Sequence, residues 1–200
     1  MAGDFDGDRR SDLVWRNRET GEHSLALMDG LTVRQRYSLG GAGRTLVPTA
    51  PDFDQNGDGR SDLVWRDSRT GANTLELMSG GNVISTRPLG GDLDWVVVAA
   101  ADFDGNRSGD VLWRQTSTGV ISRGRPQLEN SPTPIQWAAV ALANLDGDPG
   151  VDTAWSRTAR GVSALSLVRT VGVRQAVAVN TAVNWSLVRS PWATTDDGAA

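Results

Sequence analysis

Apolar residues fall in short runs divided by turns rich in Gly, Asp and Thr. Residues 24–28 and 74–78, and again 33–39 and 83–89, carry period-two patterning that predicts half-buried strands. Thr20-Gly21, Thr70-Gly71, Thr118-Gly119 and Arg160-Gly161 mark one set of turns, and Asp29-Gly30 and Ser79-Gly80-Gly81 a second. The runs 96–101 and 138–143 consist of Val, Ala and Leu without alternation, which predicts strands buried on both faces. With 23 Gly and 8 Pro, the chain is punctuated too often for long helices.

These elements recur as a unit. Asp4-Phe5-Asp6-Gly7-Asp8 through Asp12-Leu13-Val14-Trp15-Arg16 returns as Asp52-Phe53-Asp54 through Asp62-Leu63-Val64-Trp65-Arg66. It returns as Asp102-Phe103-Asp104-Gly105 through Asp110-Val111-Leu112-Trp113-Arg114, and more faintly from Asn144-Leu145-Asp146-Gly147-Asp148 to Asp152-Thr153-Ala154-Trp155. The tryptophans at 15, 65, 113 and 155 give spacings of 50, 48 and 42. Such a period with about four strands per unit predicts an all-β chain, a β-propeller of four-stranded blades. The whole chain, 1–200, reads as one repeat domain with repeats at 1–50, 51–100, 101–142 and 143–192 and a tail at 193–200. A strand at 184–189 is expected to close onto the N-terminal blade, with two chains in a larger ring as the second arrangement. The third unit is short, and its Pro-rich stretch at 121–134 predicts a degraded outer strand.

Composition narrows the chemistry. A formal charge of -4 argues against nucleic acid as a partner, and no apolar run is long enough to insert in a membrane. Cysteine is absent, which removes disulfides, thiolate nucleophiles and Cys-based zinc sites. Met1-Ala2-Gly3-Asp4 runs straight into the first turn without a signal peptide, as in a segment cut from a longer protein.

The acidic residues concentrate in the recurring turns. Hard cations such as calcium take six to eight oxygen ligands, which carboxylates at alternate loop positions can supply. Loop 1 offers Asp4, Asp6, Asp8, the Arg10 carbonyl and Asp12; loop 2 offers Asp54, Asn56, Asp58, the Arg60 carbonyl and Asp62, with Asp52 just upstream. Loop 3 offers Asp102, Asp104, Asn106, the Ser108 carbonyl and Asp110; loop 4 offers Asn144, Asp146, Asp148, the Gly150 carbonyl and Asp152. Acidic turns whose Asp side chains merely cap backbone amides are the competing reading. Capping needs only one Asp per turn, so three or four per turn in register favour metal.

These turns, with Trp15-Arg16 before Leu27-Met28-Asp29-Gly30 and Trp65-Arg66 before Leu77-Met78-Ser79-Gly80, resemble the FG-GAP/VCBS repeat family, which includes the integrin α propeller and bacterial surface proteins. The resemblance implies a β-propeller with calcium in its loops, an extracellular or cell-surface location, and an adhesive, lectin-like or scaffolding role. The family's Gly at the sixth loop position is present only as Gly59, with Arg9, Arg107 and Pro149 elsewhere. A positive φ there is costly for Arg and closed to Pro, which ranks occupancy as loop 2, loop 1, loop 3, loop 4.

Of eight Trp, seven sit at equivalent repeat positions: Trp15, Trp65, Trp113 and Trp155 after the loops, and Trp95, Trp137 and Trp185 before them. Core packing between blades is expected for these, and Trp192 falls outside the pattern. Arg16, Arg66 and Arg114 are expected to pair with loop Asp. His23 is the only His, and none of Glu19, Glu22, Glu76 and Glu129 recurs at a repeat position, so the catalytic inventory is thin. A non-catalytic calcium-binding module for glycan or protein recognition is the first functional reading. A self-assembling scaffold module, as a homodimer, is the second. A hydrolase using Asp carboxylates is the third.

Overall fold

The computed structural model describes residues 1–118, 120–123, 131–132, 138–143, 150–157, 162–168 and 173–180, and every element in it is a β-strand. Four antiparallel sheets of four strands follow one another along the chain. The first holds β1 (Ala2–Gly3), β2 (Asp12–Arg16), β3 (His23–Asp29) and β4 (Thr32–Gly40). The second holds β5 (Arg44–Leu46), β6 (Leu63–Asp67), β7 (Asn73–Ser79) and β8 (Asn82–Gly90). The third holds β9 (Trp95–Ala101), β10 (Asp110–Gln115), β11 (Val120–Arg123) and β12 (Ser131–Pro132). The fourth holds β13 (Ala138–Ala143), β14 (Asp152–Arg157), β15 (Val162–Val168) and β16 (Val173–Asn180).

Each sheet is a meander in which sequence neighbours pair, as tight turns after short strands dictate. The registers repeat in detail. Bulges fall between His23 and Ser24 and between Leu27 and Met28 in the first sheet, and between Asn73 and Thr74 and between Leu77 and Met78 in the second. The third and fourth sheets share a bulge at the Trp of the second strand, next to Trp113 and next to Trp155. The strand preceding each Asp turn belongs to the sheet that follows it, so β5 lies ahead of the repeat boundary at 51, and β9 and β13 run up to and end on the boundaries at 101 and 143. β9 is largely buried, as its unbroken Val and Ala run predicts, and β12 is only two residues long, as the Pro-rich stretch predicts.

Successive sheets are tied by one recurring hydrogen bond. The eighth-position N–H of each Asp turn donates to the first-position carbonyl of the turn before: Ser61 to Asp4 at 2.7 Å, Gly109 to Asp54 at 2.8 Å, Val151 to Asp102 at 2.9 Å. Side-chain size is matched across this contact. Gly3 faces Ser61, where a Cβ on the glycine would lie 2.8 Å from Ser61 Oγ. At the next interface the sizes are reversed, with Phe53 against Gly109, where a Cβ would lie 2.3 Å from the Phe53 ring. Ala101 and Val151 share the cluster at the third. The core lies between sheets: Phe5, Leu25, Leu63, Trp65 and Met78 fill the space between the first two, and Phe53, Val64, Leu75, Val111 and Trp113 the space between the next two. Close packing of these apolar side chains is the main term favouring the stack.

Several expectations change. Asp52-Phe53 is not the counterpart of Asp4-Phe5, because Gln55 N–H and Phe5 N–H occupy equivalent places on Asp62 and Asp12. Phe53 stands one residue before its loop and serves the sheet contact instead. Trp65 and Trp113 are buried at 0% and 2% exposure, but Trp15 is 53% exposed, with no sheet covering it among the described residues. β1 gives the first sheet a short leading strand of its own, and the closing strand expected at 184–189 lies outside the described residues, as do Trp137, Trp185 and Trp192. Arg66, expected to pair with loop Asp, donates to the carbonyls of Gly71, Trp95 and Asp92 at 2.9 to 3.0 Å and so links the second sheet to β9.

Candidate metal centres

The three turns at 4–12, 54–62 and 102–110 fold identically because the same side chains hold the same amides. The first-position carboxylate takes three backbone N–H groups. Asp4 accepts from Gly7, Asp8 and Arg9 at 2.7, 3.1 and 2.8 Å, Asp54 from Gly57, Asp58 and Gly59 at 2.7, 3.3 and 2.7 Å, and Asp102 from Gly105, Asn106 and Arg107 at 2.7, 3.1 and 2.8 Å. The third position caps the fifth: Asp6 accepts from Asp8, Asn56 from Asp58 and Asp104 from Asn106, each at 3.2 Å. The fifth caps the seventh, with Asp8 accepting from Arg10 and Asp58 from Arg60 at 2.9 Å, and Asn106 from Ser108 at 2.7 Å. The ninth closes the loop onto the sheet: Asp12 accepts from Phe5 and Met28, Asp62 from Gln55 and Met78, and Asp110 from Phe103.

Every carboxylate or amide in the series therefore caps backbone. The premise that capping would occupy one Asp and leave the others idle does not hold, since an Asx turn repeated at alternate residues uses them all.

The same geometry leaves oxygens facing a common point. One carboxylate oxygen from each of Asp4, Asp6 and Asp8 lies within 4.8 Å of the others, and Asp102, Asp104 and Asp110 are arranged likewise. These two clusters can hold a metal ion. Asp8 Oδ2 is buried and accepts no hydrogen bond, its nearest cations being the guanidinium groups of Arg34 and Arg10 at 3.6 and 3.8 Å. Among the described residues no donor reaches the carbonyl oxygens of Arg10, Arg60 or Ser108. In loop 2 Asn56 stands in the third position, its Nδ2 donating to Asp58 Oδ2 at 3.1 Å, so that loop has one carboxylate fewer. In loop 4 Gly150 and Asp152 are buried, while Asn144, Asp146 and Asp148 lie outside the described residues.

The sixth position takes the left-handed conformation, with φ of 67° at Arg9, 81° at Gly59 and 68° at Arg107. Arg9 and Arg107 are the only non-glycine residues with positive φ among the described residues, which meets the expected requirement and shows that Arg accommodates it at some cost. The electrostatics of the closing carboxylates are set by burial. Desolvation raises Asp12 above the ordinary carboxylate range, against the lowering effect of the Met28 and Phe5 amides. Desolvation pushes Asp62 up to about 6, with repulsion from Asp54 and Asp58 adding to it.

Two charged features escape a reading of the turns. Arg34, on β4, forms an ion pair with Asp6 and approaches Asp8 at 3.6 Å, placing a guanidinium against loop 1. Between the first two sheets, Glu76 accepts from Trp65 Nε1 at 2.7 Å and from Arg44 at 2.8 Å, while the Arg44 guanidinium lies 4.4 Å from the Trp65 ring centre. His23 meets the same Trp65 ring edge-on at 4.9 Å, and its burial lowers its pKa. Its surroundings are those of a packing residue. Loops 1 to 3 also converge on a cavity of about 500 Å³ bordered by Arg9, Arg60 and Arg107 together with Asp4, Asp54 and Asp102.

No protein-family model matches the chain, and no curated protein matches it in sequence. Two further observations bear on setting: the described residues are all-β, and no helix among them is long and apolar enough to cross a membrane.

Proposed function

We propose that this chain is a calcium-binding β-propeller module that recognises a glycan or protein outside the cell and catalyses no reaction. The observation that carries the reading is the identical fold of three Asp turns, with the eighth-position amides of Ser61 and Gly109 each joining a later turn to the first-position carbonyl of the one before. An all-oxygen, carboxylate-rich ligand set suits a hard cation, and alternate-position ligands in a tight turn suit calcium over magnesium, which demands stricter octahedral geometry. Four meander sheets linked in series by a repeated contact fit blades arranged around an axis. The turns lie at one end of the sheets, so a cation there braces adjacent blades and leaves the remaining surface for a ligand.

Metal analysis of protein dialysed against calcium, with calorimetry before and after EDTA, tests the first part. Calcium in loops 1 and 3 and a melting temperature lowered by chelation are expected; an unchanged melting temperature refutes it. A glycan array and a pull-down from an extracellular fraction test the second part, which fails if neither yields a saturable partner.

A further inference from the structure

We infer that the space between the second and third sheets is a binding site for a small aromatic acid, its ring against Leu89, Val111 and Trp113 and its carboxylate on Arg87. A cavity of about 500 Å³ lies there, within the range that ligand pockets occupy. Leu89, Val111 and Trp113 give it an apolar wall, and Gln55, Arg87 and Asp110 add polar groups. Two differences from the first interface account for the opening. Tyr37 stands opposite Leu25 and Arg87 opposite Leu75, so the two are counterparts on β4 and β8. Phe5 and Gln55 are counterparts as well, each donating its amide to the closing carboxylate of its turn. At the first interface Phe5 is fully buried and Tyr37 packs against the cluster that holds Phe5, Leu63 and Trp65. At the second, both of these rings are absent. Gln55 turns its Nε2 to Ser108 Oγ at 3.4 Å, and Arg87 is exposed on the cavity's border. Phe53 does not replace them, because it packs in the neighbouring core and does not border the cavity.

The repeat itself shows what such a space holds. Leu89, Val111 and Trp113 are the counterparts of Leu39, Leu63 and Trp65, which pack around the rings of Phe5 and Tyr37 at the first interface. A gap that lacks an aromatic side chain, and keeps the walls that pack on one, accepts a free ring of that size. The charge specifies what the ring carries. Arg87 forms no ion pair among the described residues, and its planar guanidinium matches a carboxylate through two parallel hydrogen bonds. Asp110 in the lining is tied to its own turn, its Oδ2 accepting the Phe103 amide at 3.2 Å. Repulsion from Asp110 directs an incoming carboxylate to the Arg87 border and leaves the ring to face the apolar wall. A bare anion would use only Arg87 and a neutral ring only the wall; an aromatic carboxylate uses both. Neither calcium nor the recognition of a glycan or protein enters this inference, so its failure leaves those readings standing.

Titration of isotope-labelled protein with benzoate, read by NMR at the amides of Leu89, Gly109 and Val111, tests it, with benzyl alcohol, acetate and methyl β-glucopyranoside as comparison probes. Benzoate is expected to shift these amides saturably, and acetate is not. Arg87→Gln, or benzyl alcohol in place of benzoate, should each weaken binding about tenfold or more through loss of the charge-assisted pair. Gln55→Phe, which restores the ring found at Phe5, should abolish the benzoate shifts without lowering the melting temperature. No saturable benzoate shift overturns the inference, as does benzoate binding that Arg87→Gln leaves unchanged. Acetate binding as tightly as benzoate overturns the role of the ring, and benzyl alcohol doing so overturns the role of the carboxylate. A glucopyranoside that shifts these amides where benzoate does not overturns the ligand class. If Gln55→Phe misfolds, Arg87→Gln on the exposed strand β8 and the four probes decide the matter.

Discussion

The reversed sizes at successive sheet contacts allow one interface to be rewritten as another. At the first contact a glycine, Gly3, meets Ser61; at the second, Phe53 meets a glycine, Gly109. Gly109→Ser alone drives a Cβ to 2.3 Å from the Phe53 ring, which is fully buried and has no open space to swing into. Overpacking of this kind costs about 1–3 kcal/mol. Phe53→Gly alone removes a buried aromatic at 1% exposure and leaves a hole, for which about 3–5 kcal/mol is expected. If the two acted independently, the double variant would lose about 4–8 kcal/mol, a large part of a typical domain's stability.

Made together, the changes reproduce the Gly3–Ser61 contact, in which Ser61 Oγ accepts the Asp4 amide at 2.9 Å and donates to the Pro51 carbonyl at 2.7 Å. The clash vanishes with the ring, and the new hydroxyl gains the equivalent Asp54 amide as a donor. The double variant should therefore be more stable than the sum of the singles by about 1–3 kcal/mol. Urea unfolding monitored by Trp fluorescence measures this, provided the slope with urea is common to all four proteins. Additivity within about 0.5 kcal/mol, or a neutral Gly109→Ser, refutes the claim that the contact is set by matched size.

Glu76→Ala strands the buried Trp65 Nε1–H and should cost about 1–3 kcal/mol in urea unfolding, whereas Glu76→Gln keeps an acceptor and should cost less. His23 has its pKa lowered by burial from the ordinary 6.5, so its contribution to stability is present above 6.5 and lost as pH falls through its depressed folded value; His23→Asn, copying Asn73, should remove that part of the pH profile in calorimetry. Asp94, held down to about 2 by hydrogen bonds from Thr116, Ser117 and Gln115, contributes stability that is present above 3.8 and lost as pH falls through about 2, and Asp94→Asn should flatten acid unfolding in that window. Arg34→Ile, which gives loop 1 the residue found at the matching position of the second sheet, Ile84, should tighten calcium binding at loop 1 in titration calorimetry by removing a competing cation; unchanged affinity would show that the Arg34 pairing with Asp6 does not oppose the ion.

The strands and their order were legible because short β-strands write period-two patterning and turn residues directly into the chain. The bulges between Leu27 and Met28 and between Leu77 and Met78 were not, since they depend on the pairing partner across the sheet. Asp52-Phe53-Asp54 imitates Asp4-Phe5-Asp6 two residues out of register; only the fixed distance back from Asp62 and Trp65 identifies Asp54 as the first ligand position. Trp15 carries the same local pattern as Trp65, and its exposure comes from what stands beside its sheet, which a local pattern does not record. Glu76 could have been found by setting it against Ala26, its repeat counterpart, because a carboxylate replacing a buried Ala requires partners. Arg34 could not, as its reach to Asp6 spans 28 residues and depends on how β4 lies over loop 1.

The hydrogen bonds inside the Asp turns change what an ion would contribute. A turn that depended on calcium for its shape would resemble a zinc finger, unfolded without metal. Here the carboxylates of Asp4, Asp54 and Asp102 each hold three amides, and the ninth-position carboxylates bind the turn to its sheet. The turn is preorganised, and an ion would add neutralisation of the repelling carboxylates. Chelation should therefore lower the melting temperature while leaving the far-ultraviolet spectrum intact. The size of the drop follows the ratio of free calcium to Kd, about 2.7 kcal/mol per site at a hundredfold excess. Since Ser61 and Val151 hang from the carbonyls of Asp4 and Asp102, whose side chains belong to the two candidate clusters, any tightening of a loop by an ion would be felt next at the contact between sheets.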